Sequence, residues 1–66
     1  MKFYLTFGQK SPFRHGWVEV EASSYGEANG EVVLVFQQSW AHLYSEEKFD
    51  RSFFPAGKIG ETMEGR

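Results

Sequence analysis

Twelve of the 66 residues are aromatic and none is cysteine, so one small core rich in aromatic rings must hold this chain together. A chain of this length buries roughly 60% of its unfolded surface, which leaves its stability marginal. Aromatic side chains bury the most apolar surface per residue, and without cysteine neither a disulfide nor a thiolate metal site can assist. We therefore expect one domain over residues 1–57, followed by a flexible C-terminal tail over residues 58–66 in which few residues are apolar.

Apolar side chains occupy every second position in residues 2–8 and again in residues 17–22. This period of two is typical of strands with one buried face. Glycines bound the intervening loop, which also contains Pro12, so the two strands are expected to pair as an antiparallel hairpin. The buried face is predicted to carry Phe3, Leu5, Phe7, Val18 and Val20, and the opposite face Tyr4, Thr6, Trp17, Glu19 and Glu21.

A helix is predicted over residues 24–37. Ser24 and Glu27 match a capping box, in which the hydroxyl and the carboxylate each bind a backbone amide at the helix start. Gly26 and Gly30 weaken this prediction, because glycine costs nearly 1 kcal/mol relative to alanine inside a helix. Residues 31–36 alone would also suit a buried strand, but the cap and the helical spacing of the apolar residues favour the helix.

Residues 39–45 are predicted to form a third strand, and residues 46–51 a single helical turn capped by Ser45. The element order is then β-β-α-β, an α+β fold. A right-handed crossover through the helix makes the third strand parallel to the second, so the first strand lies between them, antiparallel to both. One helix covers one face of this three-stranded sheet. The other face, with Tyr4 and Trp17, is expected to be open.

Composition excludes several classes of function. Seven basic and nine acidic side chains give a net charge of −2, which is too balanced for a typical nucleic-acid-binding protein. No apolar run approaches the roughly 20 residues of a membrane span, and no secretion signal is recognisable, so a soluble, cytoplasmic protein is expected. The two histidines have no metal-ligand spacing, and no nucleophile motif occurs. We expect neither enzymatic activity, cofactor nor bound metal.

Binding to a partner is the remaining class, and two sets of residues are candidates. The first set would anchor another protein by exposed aromatic rings and complementary negative charge. It comprises Tyr4, Trp17, Glu19, Glu21, Glu46, Glu47, Asp50, Phe53 and Phe54. Because two adjacent phenylalanines cannot both point inward from a short segment, one of the last two is expected to be exposed. The alternative set, Lys10, Phe13 and Arg14, combines cations with a ring and would suit nucleic acid.

Four motifs occur in order along residues 3–55: Thr6-Phe7-Gly8-Gln9, the strand ending at Ala22, Ser24-Tyr25-Gly26-Glu27-Ala28, and Trp40-Ala41-His42-Leu43-Tyr44. In this order they resemble a group of small phage and prophage proteins. The resemblance implies the β-β-α-β fold and a host-cell setting. It also implies a non-catalytic protein that binds and inhibits a bacterial host protein, such as a nuclease or defence complex, in the manner of anti-CRISPR and other counter-defence factors. A homodimer is a further expected partner.

Overall fold

The structure, a computed structural model, describes residues 1–64 as a mixed sheet with one helix against it. The elements, in chain order, are β1 (Lys2–Thr6), β2 (Gly16–Glu21), α1 (Tyr25–Phe36), β3 (His42–Ser45), two 3₁₀ turns (Glu46–Lys48 and Arg51–Phe53), β4 (Gly57–Lys58) and β5 (Met63–Glu64). The strand order is β3-β1-β2-β4, and β5 also pairs with β2. This architecture confirms the predicted α+β class.

Strand β1 lies in the middle of the sheet and is antiparallel to both β2 and β3, as predicted. Leu5 lies opposite Val18 on one side and Leu43 on the other. These side chains share the face that α1 covers. The core on this face consists of Phe3, Leu5, Phe7, Val18, Val20, Ala22, Ala28, Val32 and Leu43.

Helix α1 begins and ends as its sequence indicates. The Glu27 backbone N–H donates to Ser24 Oγ at 3.2 Å, and the Glu27 carboxylate accepts from the Ser23 N–H at 3.1 Å. At the other end Gln37 has a φ of 56°, a left-handed conformation in which its N–H bonds the Val33 carbonyl. Such residues stop helices. The predicted helix is confirmed, so the cap and the apolar stripe outweigh the two glycines.

Replacing Gly30 by alanine is expected to stabilise the protein by about 0.8 kcal/mol, because alanine loses less backbone entropy in a helix. The added Cβ meets nothing within 4 Å. Gly57→Ala is the matched control: its space is equally open, but its φ of 78° disfavours any side chain. Chemical denaturation of both variants should therefore shift the midpoint in opposite directions. A lower midpoint for Gly30→Ala would contradict this account of α1.

The second face of the sheet is not open, and this corrects the prediction. Residues 46–54, here called the strap, fold back over it, and Phe49 stacks on Tyr4 with ring centroids 4.6 Å apart. Tyr4 is 1% exposed and Trp17 is 7% exposed. The expectation that these two rings form a docking surface is therefore wrong. The sequence predicts a single helical turn over residues 46–51 and no cover for this face, but the aromatic side chains of the strap bury more apolar surface by packing on the sheet.

The strap is built from two 3₁₀ turns instead of one α-helical turn. Ser45 precedes the first turn, but its side chain makes no capping hydrogen bond, contrary to the prediction. Asp50 caps the second turn, accepting from the Ser52 N–H at 2.9 Å and from its hydroxyl at 2.6 Å. Short 3₁₀ segments of this kind suit a chain that must change direction twice in a few residues.

Residues 58–64 were predicted to belong to a flexible tail, whereas the structure pairs two short strands from the C-terminal segment with β2. Gly57 and Lys58 lie opposite Gly16 and Trp17, in parallel. The Ile59 N–H donates to the Trp17 carbonyl at 2.7 Å. Ile59 and Met63 pack against the core, which explains why the segment is held. Residues 65–66 lie outside the described part of the chain.

Candidate functional site

A closed aromatic cluster joins the strap to the sheet. The Trp17 ring meets Tyr4 edge-on at 5.3 Å and Phe49 edge-on at 5.6 Å. The Arg51 guanidinium lies 5.4 Å from the Tyr4 ring centroid and 5.1 Å from that of Trp17. Edge-to-face rings and a cation over a ring face are each attractive beyond their burial. Tyr4 and Trp17, predicted as partner anchors, thus serve to hold the strap.

Polar groups at the margin of this cluster connect β1 to both turns of the strap. The Tyr4 hydroxyl donates to Glu46 Oε2 at 3.1 Å and accepts from Arg51 Nη2 at 3.2 Å. The Trp17 Nε1–H is buried and has no acceptor among residues 1–64. An unmade hydrogen bond of this kind costs about 1–3 kcal/mol. The unpaired N–H therefore opposes closure of the strap over the sheet, and the packing of the aromatic rings offsets this cost.

Glu19, another predicted partner residue, is engaged within the molecule. Its carboxylate accepts from Thr62 Oγ1 at 2.5 Å and lies 3.6 Å from Lys58 Nζ and 3.8 Å from Lys2 Nζ. The Thr62 hydrogen bond, assisted by the two lysines, lowers the pKa of Glu19 below its ordinary value, although partial burial opposes the shift. This side chain anchors the C-terminal segment to β2 and is not free for a partner.

Glu19→Gln is expected to lower the free energy of unfolding by about 1.5 kcal/mol at neutral pH, the lower end of the scale for a hydrogen bond to a charged group. Because the folded pKa is lowered, the ionised carboxylate stabilises the fold above its unfolded pKa of about 4.3. That stability is lost as pH falls through the folded pKa, so the two proteins should converge in acid. Urea titrations across pH measure the difference, with exposed Glu21→Gln as control. A difference that persists in acid would contradict the assignment.

The other predicted acidic residues are exposed. Glu46 and Glu47 begin the first strap turn, where negative charge suits the end of a helical segment. Glu21 is the last residue of β2 and lies opposite Lys2 of β1. The hydrogen bonds from the Ser52 hydroxyl and backbone lower the pKa of Asp50. The structure thus separates this set: Glu46, Glu47 and Asp50 share the strap, and Glu21 lies apart from them.

Phe53 and Phe54 behave as their adjacency predicted. Phe53 is 73% exposed, whereas Phe54 turns inward and stacks on Phe49 with centroids 5.4 Å apart. Both line a groove of about 440 Å³ between the strap, β3 and the hairpin loop. Its walls include Thr6, Phe7, Gly8, Gln9, Arg14, His15, Ala41, His42, Tyr44, Phe53 and Phe54. This volume falls in the range of small-ligand and side-chain pockets.

The groove brings together residues from both predicted sets. Arg14, from the set assigned to nucleic acid, faces Phe53 and Phe54, from the set assigned to protein. Phe13 is half-exposed and packs on Phe7 at 5.6 Å, outside the groove. Lys10 is exposed at the start of the loop. Only Arg14 of the alternative set therefore reaches the aromatic surface.

Sequence reasoning did not assign His15, His42 and Tyr44 to a site. His42 and Tyr44 stack on each other with centroids 5.5 Å apart and form the β3 wall of the groove. Their two-residue spacing signals a shared strand face, but nothing in the sequence places that face beside Phe53. The apolar end of α1 was also missed: Leu34 is 77% exposed and Val35 is 56% exposed.

Within residues 1–64, no group of three or more histidine, aspartate or glutamate side chains is arranged to hold a metal ion. The 12-residue α1 is too short to cross a bilayer, and residues 1–64 contain no other α-helix.

Comparison of the chain with protein-family models, with curated proteins and with solved structures found no match.

Proposed function

We propose that this protein acts without catalysis, by binding another protein through the groove and its aromatic rim. The observation that carries the proposal is the 73% exposure of Phe53 at the edge of a groove whose wall contains Phe54 and Tyr44. Phe53 is exposed while its neighbour Phe54 packs on the strap, so its ring loses little conformational entropy when a partner covers it. Aromatic anchors of this kind contribute most of the binding energy in many interfaces. Glu47 and Asp50 on the same strap supply a charged rim.

The proposed partner is a bacterial host protein, and the proposed effect is inhibition of the counter-defence type, with anti-CRISPR activity as one form. Support for this part comes from the resemblance of residues 3–55 to small phage and prophage proteins. Because Tyr4 and Trp17 are closed beneath the strap, the proposal assigns docking to the outer rings of the strap. The proposal likewise assigns the complementary negative charge predicted for Glu19 to the exposed carboxylates of the strap.

Affinity capture from a bacterial lysate tests the proposal, with the recovered protein identified and its binding then measured by calorimetry. Phe53→Ala should weaken binding at least about tenfold, or about 1.4 kcal/mol, since central aromatic anchors reach that cost. Phe13→Ala is the matched control, because it removes an exposed ring outside the groove. Circular dichroism should show both variants folded. Equal affinity of the wild-type protein and Phe53→Ala for the recovered protein would exclude the groove as the binding site.

A second candidate function is binding of single-stranded nucleic acid, favoured by Arg14 and His15 in a groove walled by Tyr44 and Phe54. Bases stack on such rings while cations neutralise phosphates. Affinity for a labelled oligonucleotide should then fall steeply with salt, and Arg14→Gln should reduce it further. The absence of any binding at low salt would eliminate this candidate without affecting the first.

A further inference from the structure

Strand β3 ends the sheet, and no strand among residues 1–64 pairs with its outer edge. Proteins usually block such an edge with lysine, proline, a bulge or a very short strand, because open N–H and C=O groups recruit other chains. The opposite edge follows this rule, since β4 and β5 have two residues each and carry Lys58 and Glu64. In β3, by contrast, the sequence His42–Ser45 contains no lysine, proline or acidic residue.

The hydrogen-bond pattern shows which groups of β3 are free. The Ala22 N–H donates to the Met1 carbonyl, so the odd-numbered residues of β1 bond β2 and the even-numbered residues bond β3. Tyr44 lies opposite Tyr4 and therefore directs its N–H and C=O toward β1. The backbone groups of Leu43 and Ser45 consequently face outward.

We infer that a second copy of this chain occupies the edge, with the two β3 strands antiparallel and Tyr44 opposite Tyr44. Directly opposed residues of an antiparallel pair point to the same face of the sheet, so the two-fold axis must pass through a residue pair of β3. With Tyr44 on the axis, the Leu43 and Ser45 N–H groups of each copy donate to the Ser45 and Leu43 carbonyls of the other. All outward groups of β3 are then used.

Charge selects this register and this occupant. Tyr44 on the axis places His42 of each copy opposite Glu46 of the other, a donor facing a carboxylate at both ends. Placing Leu43 on the axis would put Glu46 opposite Trp40. Arg14 also lines the groove beside His42, so a permanent cation lies near the end of the edge that receives Glu46. Because an imidazole begins β3 and the Glu46 carboxylate follows directly after its last residue, the edge is complementary to its own reverse.

The dimer joins the two sheets into one continuous sheet. This arrangement affects the proposed function, but the inference of a dimer does not depend on that function. A two-fold axis perpendicular to the sheet leaves both α1 helices on one face. Both aromatic grooves then lie on the other face, on either side of the Tyr44 pair. Two grooves in one plane would bind a symmetric or repeated partner more tightly than one, through effective concentration.

Sedimentation equilibrium of the full chain over a series of concentrations tests the inference. The mass should rise from 7.6 kDa toward twice that value as concentration increases. Ser45→Pro should raise the dissociation constant at least about tenfold, because proline removes the outward N–H and its ring blocks the approach. Ser45 has a φ of −74° and a ψ of 158°, which proline adopts readily. Ser45→Ala, which keeps the N–H, is the matched control and should dimerise normally.

Two further measurements keep the inference testable if Ser45→Pro does not fold. His42→Glu places like charges opposite each other at both ends and should also weaken the dimer about tenfold or more. Amide hydrogen exchange of the wild-type protein should show protection of Leu43 and Ser45 that rises with concentration. Three results would each overturn the inference. The protein could stay monomeric, or the dissociation constant of the dimer could be unchanged in both variants. The third is protection of these amides only after a different protein binds.

Discussion

Phe49→Ala is expected to lower the free energy of unfolding by about 3 kcal/mol, the lower end of the range for truncating a core phenylalanine, because Phe49 is only partly buried. Phe49 stacks on Tyr4 and on Phe54 and meets Trp17 edge-on, so one substitution removes the centre of the cluster. A domain of this size has a total stability of roughly 3–10 kcal/mol. The variant should therefore unfold at a much lower denaturant concentration, measured by circular dichroism.

Phe53→Ala is the control for this experiment, because it removes the same side chain from the same strap. Phe53 is 73% exposed, and its removal should change stability by no more than about 0.5 kcal/mol. Phe49→Ala should also let water reach Trp17 and shift its fluorescence to longer wavelength, measured with Trp40→Phe as the common background. Equal stability of the two variants would mean that the strap does not pack on the sheet.

Local signals were sufficient for the first 45 residues. The alternation in β1 and β2 marks a face that must be buried, and a shift of one residue would expose all of it. For α1, the Ser24 cap and the Ala28–Val32 spacing were stronger evidence than two glycines, because a buried stripe contributes more than propensity costs. Chain order and crossover handedness then left few ways to arrange the sheet.

The strap could not be predicted because it has no period. Phe49 and Phe54 are five residues apart, which matches neither a strand nor a helix, and the 3₁₀ turn Arg51–Phe53 lies between them. The partners of Phe49 on the sheet, Tyr4 and Trp17, are more than 30 residues away in sequence. The sequence places Tyr4 and Trp17 on the second face of the sheet. It does not indicate whether the same chain or a partner covers that face.

The candidate site was predicted only in part for the same reason. The exposure of Phe53 followed from its neighbour Phe54, which is a local argument. The groove itself combines Arg14, His42 and Phe53, from three segments that meet only after the strap has folded back. Sequence reasoning therefore identified single residues and assigned them to different partners, whereas the fold places them around one opening.

Gly16→Ala is expected to cost about 2 kcal/mol, within the range for overpacking a tight contact. A Cβ at this position would lie 2.5 Å from Ile59 Cδ1, 2.7 Å from Ile59 Cγ1 and 3.0 Å from the Gly57 carbonyl oxygen. Ile59 can move, but the backbone of Gly57 cannot move without breaking its pairing with β2. The substitution should therefore detach residues 57–64 from the sheet before it unfolds the rest.

Amide exchange locates the effect. In Gly16→Ala the Ile59 N–H, which donates to the Trp17 carbonyl, should lose protection, whereas the central β1 amides should keep theirs because β1 pairs with β2 and β3 and not with the C-terminal segment. Gly8→Ala is the control, since its Cβ would meet nothing within 4 Å, and it should behave as wild type. If Gly16→Ala also behaved as wild type, Ile59 would not pack against β2. The C-terminal segment would then have no apolar anchor at this end, only the Glu19–Thr62 hydrogen bond and Met63 further along.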